Sequence, residues 1–267
     1  MEITVTFVGN ATTLITAGGL TLLTDPNFLH QGQHAYLGYG LVSKRLREPA
    51  LNIDELPPVD AVVLSHMHGD HWDRVSQRGL DHGLPIITTP HAAKRLHHRG
   101  FGHALALSTW QRHTITKGDT TLKITSLPGR HAPAWSHRLL PPVMGTMLEF
   151  VSADRSVRRL YVSGDTLLVE ELNEIPVRFD SIDAGVLHLG GTRLPAGRWL
   201  PFGLTVTMDG RQGAELVALL GLPKMIPVHF DDYGVFASPL ADFIGEMQRR
   251  GMGDRIIELD RGASATV

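Results

Sequence analysis

The apolar run Ala61-Val62-Val63-Leu64 leads straight into Ser65-His66-Met67-His68-Gly69-Asp70-His71, so four metal-binding side chains stand within six residues of each other. The apolar run reads as a short buried strand. Strand residues two apart point to the same face, so His66 and His68 converge on one point just past the strand end. Gly69 lets the chain turn, so Asp70 and His71 can face a second point nearby. Four donors are too few for two cations. A chain with this segment must therefore fold so that other strand ends deliver more His or Asp to the same place.

Three residues stand at such positions. His131 closes Leu127-Pro128-Gly129-Arg130-His131, just after a predicted strand; Asp165 lies in Tyr161-Val162-Ser163-Gly164-Asp165-Thr166; His229 follows Met225-Ile226-Pro227-Val228. Each is a ligand-type residue beyond an apolar strand, where the loops of an α/β fold gather their functional groups. Three His together with Asp, His and His, plus one bridging carboxylate, suit a pair of divalent ions. The chain has no cysteine, so any metal must sit on nitrogen and oxygen donors. Two divalent ions are expected, with Zn2+ the default for these donors and Mn2+ or Fe2+ the alternatives.

Around these points the pattern predicts strands at 3–8, 13–16 and 20–24, with Gly18-Gly19 as a hairpin turn. Residues 28–58 have little periodicity and read as a long loop or a partly helical insertion. Further strands are predicted at 61–64, 86–89, 120–126, 143–150, 157–162, 184–188, 225–228 and 255–259. Helices are predicted at 90–99, 166–173, 209–220 and 239–250. Strand-rich runs in each half, each followed by helices, predict an α/β fold with two sheets and outer helices, a four-layer αββα sandwich. No Ser- or Pro-rich linker interrupts the chain, so a single domain over 1–267 is expected.

Composition narrows the function. The apolar content of 42% and charge of 19% are those of an ordinary soluble globular protein. A net charge of −2 gives no basic footprint for nucleic acid, so a small-molecule substrate is expected, with a homo-oligomer left open. No apolar stretch approaches the length of a membrane span. The opening Met1-Glu2-Ile3-Thr4-Val5 alternates like a strand and lacks signal-peptide features, so a cytoplasmic location is the default.

The motif His66-x-His68-x-Asp70-His71 resembles the HxHxDH signature of the metallo-β-lactamase fold superfamily. The chain further resembles the branch holding N-acyl-phosphatidylethanolamine phospholipase D-like enzymes and L-ascorbate-6-phosphate lactonase-like proteins. The matching segments are Phe7-Val8-Gly9-Asn10-Ala11-Thr12 through Leu23-Thr24-Asp25-Pro26, Leu56-Pro57-Pro58-Val59-Asp60-Ala61, the Ser-Gly-Asp-Thr at 163–166 and the Val-His-Phe at 228–230. The resemblance implies the metallo-β-lactamase fold. It assigns His66, His68 and His131 to a first metal and Asp70, His71 and His229 to a second, with Asp165 bridging. It also implies that Asp25 orients a ligand from behind. The branch often has His where this chain has Asn10. Asp165 and the lack of Cys argue against a true β-lactamase.

The expected chemistry is hydrolysis by a water shared between two ions, which lower its pKa toward neutrality. Asp70 would help orient that water, and His188, Asp231 and Tyr233 are candidates for the acid that protonates the leaving group. A phosphodiester is the first expectation, because residues 41–58 resemble the phospholipase-like branch; a lactone, ester or amide is the alternative. An iron redox enzyme of the same fold is less favoured, because the flavodiiron pattern has Glu where His68 stands. Lys44, Arg45 and Arg47 form a small basic cluster that either greets a phosphate or lies on a solvated loop. Trp135, Trp199, Phe202 and Tyr233 are candidates for an apolar substrate wall or for packing under a loop. His30 and His34 read as surface or loop histidines.

Overall fold

The computed structural model describes residues 1–38, 40–133, 140–194 and 204–267. Its strands in the first half are β1 (Thr4–Gly9), β2 (Thr12–Ala17), β3 (Leu20–Thr24), β4 (His34–Gly38), β5 (Leu41–Lys44), β6 (Ala61–Leu64), β7 (Ile86–Thr88) and β8 (Ala104–Ala106), with helices α1 (Arg74–Gly79) and α2 (Pro90–His98). The second half carries β9 (Arg112–Lys117), β10 (Thr120–Leu127), β11 (Gly145–Val151), β12 (Val157–Val162), β13 (Ala184–His188), β14 (Arg193–Leu194), β15 (Leu204–Thr205) and β16 (Met225–Val228). Helices α3 (Glu174–Arg178), α4 (Gly210–Leu220) and α5 (Leu240–Arg249) accompany them, and β17 (Ser264–Thr266) follows.

A seven-stranded sheet has the order β17-β1-β2-β3-β6-β7-β8, and a six-stranded sheet the order β16-β13-β12-β11-β10-β9. Their inner faces share one core, in which Phe7, Ile15, Leu22 and Val63 of the first sheet meet Ile124, Leu148, Val186 and Ile226 of the second. Outside the first sheet, Leu64 and Ile86 pack on Ala92, Ala93 and Leu96 of α2. Outside the second, Met147 and Leu187 pack on Leu216 and Val217 of α4 and on Phe243 and Met247 of α5. This is the expected four-layer αββα sandwich, the metallo-β-lactamase fold. Strands covered on both faces should be apolar throughout, and β6, β13 and β16 are buried at every position.

The chain is parallel where the site will form. β3, β6 and β7 run parallel in one sheet, and β12, β13 and β16 in the other. Their carboxyl ends collect the loops that carry Asp25, His66 to His71, Asp165 and His229.

Three expectations change. Residues 28–58 hold the β4–β5 hairpin, with Tyr36 facing Val42 across the ladder. Residues 255–259 do not form the closing strand; Ile256 makes one isolated bridge to Met225, and the strand that pairs with β1 is β17. The predicted helix 166–173 is extended at its start, and only Glu170–Asn173 turns, as a 3-10 helix leading into α3. The cause is competition for backbone groups. The Leu167 N–H bonds the Arg130 carbonyl, and the Thr166 carbonyl accepts the Met208 N–H, so neither serves a helix. The Gly18-Gly19 turn forms as expected, with φ of +54° and +81°, the pair of left-handed residues that a tight hairpin requires.

Candidate metal centre

All seven expected donors come together. The side-chain nitrogens of His66, His68 and His131 form one group, and Asp70, His71, Asp165 and His229 form another, with the donor atoms of each group within 4.8 Å of one another. Six of the seven are buried, and His68 is half-buried.

In the first group His68 Nδ1 lies 3.0 Å from His66 Nε2 and 3.1 Å from His131 Nε2. Burial, reinforced by the neighbouring imidazoles, holds His66 well below the usual histidine range and His68 down at about 3. Burial lowers His131 as well. Three neutral rings aiming lone pairs at one point repel each other unless a cation sits there. The outer nitrogens are already spoken for. His131 Nδ1 donates to the Asp165 carbonyl at 3.0 Å, and His66 Nδ1 lies 3.0 Å from Ser65 Oγ. The carbonyl contact fixes the His131 tautomer that leaves Nε2 free for a metal.

In the second group His71 Nε2 lies 3.3 Å from Asp165 Oδ2 and 3.8 Å from Asp70 Oδ2. His229 Nε2 and Nδ1 lie 3.4 Å from Asp70 Oδ2 and Asp165 Oδ1. Burial opposes charge on His71, yet the carboxylates of Asp165, Asp70 and Asp25 outweigh it and push its imidazole well above the usual range. Burial also opposes ionisation of Asp165, but His229 and His71 hold its carboxyl far below the carboxylate range. Asp70 Oδ1, His71 Nε2, Asp165 Oδ1 and His229 Nδ1 are buried and have no hydrogen-bond partner among the described residues. Such orphaned atoms are rare in folded proteins and call for an explanation. A cation bound among these residues would give such atoms a partner, and the three converging imidazoles offer a second point, so the residues fit a metal at both.

Behind the donors lies a second layer. Asp25 Oδ2 is 3.3 Å from His71 Nδ1 and 3.2 Å from His188 Nε2, and its Oδ1 accepts the Ser65 N–H at 2.7 Å. Burial opposes its charge, but His71 and His188 prevail and keep the carboxyl down at about 2. Asn10, at the position where the branch often has His, donates from Nδ2 to the Asp70 carbonyl at 2.7 Å, and its own carbonyl accepts the His229 N–H. Asn10 therefore ties the two loops of the second group together without being a ligand.

Each candidate for the leaving-group acid is engaged with other residues. His188 is fully buried behind the donors, with Nε2 on Asp25 and Nδ1 3.3 Å from Ser163 Oγ, and its ring stacks on His71 at 5.8 Å. Its contacts are to Asp25, Ser163 and His71, so in this arrangement it supports Asp25 and His71. Asp231 is paired with Arg47 at 2.9 Å and with Arg261. Tyr233 is buried, donates its hydroxyl to Asn27 Oδ1 at 2.9 Å, and has its phenol pushed far up by burial. Nor do Lys44, Arg45 and Arg47 form a phosphate-greeting cluster. Arg45 is fully buried, donates to the Asn27 carbonyl at 2.8 Å and pairs with Asp232 at 3.2 Å. Of the proposed apolar wall, Tyr233 is packing, while Trp135, Trp199 and Phe202 lie outside the described residues.

The opening to the site was not part of the expectation. From His68 a cleft of about 810 Å³ runs between the β4–β5 hairpin and the helices α1 and α2. Leu29, Ala35, Met67 and Trp72 form its apolar floor, and Arg74, Arg95 and Arg99 stand along its sides. A signal did exist: His91, Arg95 and Arg99 recur at helical spacing, one face of α2, but only the fold shows what that face looks onto.

Comparisons with known proteins agree with this architecture. The profile of the beta-lactamase superfamily domain matches residues 21–230. A metal-dependent hydrolase of Deinococcus radiodurans is 26% identical over 234 residues, covering 86% of this chain and 92% of the relative. The mitochondrial N-acyl-phosphatidylethanolamine-hydrolyzing phospholipase D of Saccharomyces cerevisiae is 30% identical over 172 residues, 62% of this chain and 35% of that protein. Among solved structures, a possible metal-dependent hydrolase from Veillonella parvula superposes with a TM-score of 0.81 at 22% identity, covering 100% of both chains.

Proposed function

This chain belongs to the beta-lactamase superfamily domain family and is a metal-dependent hydrolase, and we propose that its centre holds two divalent cations, zinc by default, and cuts a small-molecule phosphodiester. The observation that carries the two-metal reading is the four orphaned buried atoms of the second group beside three converging neutral imidazoles. The phosphodiester reading draws on the likeness to the yeast phospholipase D.

Bound divalent cations supply hydroxide at neutral pH and a Lewis acid for the developing oxyanion. The chain's own residues do the rest. Asp25 and the Asp165 carbonyl hold His71 and His131 in the tautomers that present Nε2 to the centre. Thr207 Oγ1 donates to Asp165 Oδ2 at 3.0 Å, which leaves Oδ1 for the centre and orients the carboxylate. Asp70, holding the metal through one carboxylate oxygen, would keep the other to orient the attacking water. His68, the half-buried donor, marks the side from which substrate enters.

Two measurements test this. Purified protein should carry close to two divalent metals per chain by plasma mass spectrometry; less than one overturns the two-metal reading. Metal-loaded protein should turn over aryl phosphodiesters, with Asp165→Ala inactive. Turnover of lactones or amides with none of phosphodiesters would move the substrate to the acyl side.

A further inference from the structure

The cleft beside His68 has a charge pattern that the hydrolytic chemistry leaves unused. Arg74 opens α1, while His91 and Arg95 on α2, with Arg99 at its C-cap, lie at i, i+4 and i+8 on one face. All four line the cleft. Among the described lining residues the one carboxylate is Asp73, and it is fully engaged. Its Oδ1 accepts the Val75 and Ser76 N–H groups, and its Oδ2 accepts Phe28 N–H, Leu29 N–H and Asn27 Nδ2. Arg95 has no hydrogen-bond or ion-pair partner among the described residues, and Arg74 and Arg99 each use a single N–H. Arg74 Nη1 donates to the His34 carbonyl at 3.2 Å, and Arg99 Nη1 to Gln77 Oε1 at 2.8 Å. These single tethers leave most of the donors of Arg74 and Arg99 free.

Like charges at i, i+4 on a helix repel each other. Burial and then the Arg95 charge lower both His91 and Arg99. His91 Nδ1 and the Trp72 indole N–H, both on residues lining the same cleft, are buried without partners. An uncompensated basic wall with idle donors, opening from a metal ligand, is the form of an oxyanion site.

We propose that Arg74, Arg95 and Arg99 form a subsite for a second phosphate, carried by the substrate away from the bond that is cut. Three guanidinium groups with no free opposing acid among the described lining residues suit a dianion better than a single carboxylate. The proposal rests on the phosphodiester reading for the identity of the scissile bond, but the binding of a phosphate monoester in the cleft is separable from it.

The test uses zinc-loaded protein and two substrates, thymidine 5′-(p-nitrophenyl phosphate) and the same compound bearing a 3′-phosphate. The extra phosphate should raise kcat/KM about tenfold or more, as charge-assisted hydrogen bonds to arginine do. In the double variant R95Q/R99Q that advantage should fall to about twofold or less. Equal kcat/KM for the two substrates in the unaltered protein, or an advantage that survives the double variant, overturns the subsite. Should neither phosphodiester be cut, the functional reading fails while calorimetry with phenyl phosphate still decides the subsite. Binding about tenfold weaker in R95Q/R99Q upholds it, and equal binding overturns it. Benzoate bound as tightly as phenyl phosphate, and weakened equally by the double variant, would replace the dianion with a carboxylate.

Discussion

Asn10, Asp25 and His229 hold φ values of +53°, +36° and +62°, a region of backbone space that side chains other than glycine seldom occupy. All three stand at the metal centre, where strained backbone is retained because it aims functional groups. Asp25 shows what the strain achieves: its two oxygens reach Ser65 N–H, His71 and His188 together. Asp25→Asn should keep the fold and lower zinc affinity by roughly 10- to 100-fold, because an amide cannot accept from both His71 Nδ1 and Ser65 N–H while facing His188. Competition with a chromophoric chelator reads this directly, and an affinity within about twofold of the original would show that Asp25 does not position His71. The histidines also set a pH dependence for metal-stripped protein. Folded His68 stays neutral down to about 3 against an ordinary 6.5, so between those values the unfolded chain binds more protons. The His68 contribution is therefore intact above 6.5 and drains away as pH falls toward 3, at up to about 1.4 kcal/mol per pH unit. His66 and His131 act in the same sense, Asp25 adds its loss only below 3.8, and His71, shifted upward, works the opposite way above 6.5. Urea midpoints at pH 7 and pH 5 should differ accordingly, with a smaller difference in His68→Gln. At this scale the sequence was most legible. Each donor follows an apolar strand, a local pattern. The partner of a buried histidine is not local, so the contact of His188 with Asp25 could not be read from the sequence.

The β4–β5 hairpin is the element that shapes the entrance. It is clamped onto the ligand loop through the Gly69 N–H, which donates to the Tyr36 carbonyl at 3.0 Å. A Cβ on Gly69 would lie 2.6 Å from Tyr36 O and 2.7 Å from Tyr36 N, both backbone atoms that cannot swing aside. Gly69→Ala should thus destabilise the protein by about 1–3 kcal/mol and weaken metal binding at the adjoining His68 and Asp70. Thermal melts of the metal-loaded and stripped variant measure both, and an unchanged melting temperature would mean that the clamp is idle. The hairpin was invisible in the sequence because its strands have one exposed face with mixed residues and rest on Leu29 and Tyr233, which lie far apart along the chain. The strands of the two sheets, buried on both faces, were plain for the opposite reason.

Across the whole molecule the two sheets share both a core and a site. His66 to His71 come from the first sheet, and His131, Asp165 and His229 from the second. Metal bound only to the folded state stabilises it by about 4 kcal/mol at a thousandfold excess over Kd, a rise of roughly 10 °C in melting temperature for a domain of this size. Chelator treatment followed by zinc addition should show that rise and its reversal. No helix among the described residues is long and apolar enough to cross a membrane. The division of donors between the sheets also bears on how the protein is made. A chain that has formed only its first sheet owns Asp70 and His71 but lacks Asp165 and His229, so no half-made molecule carries a finished donor set. Catalytic competence arrives last, after both sheets have closed on each other.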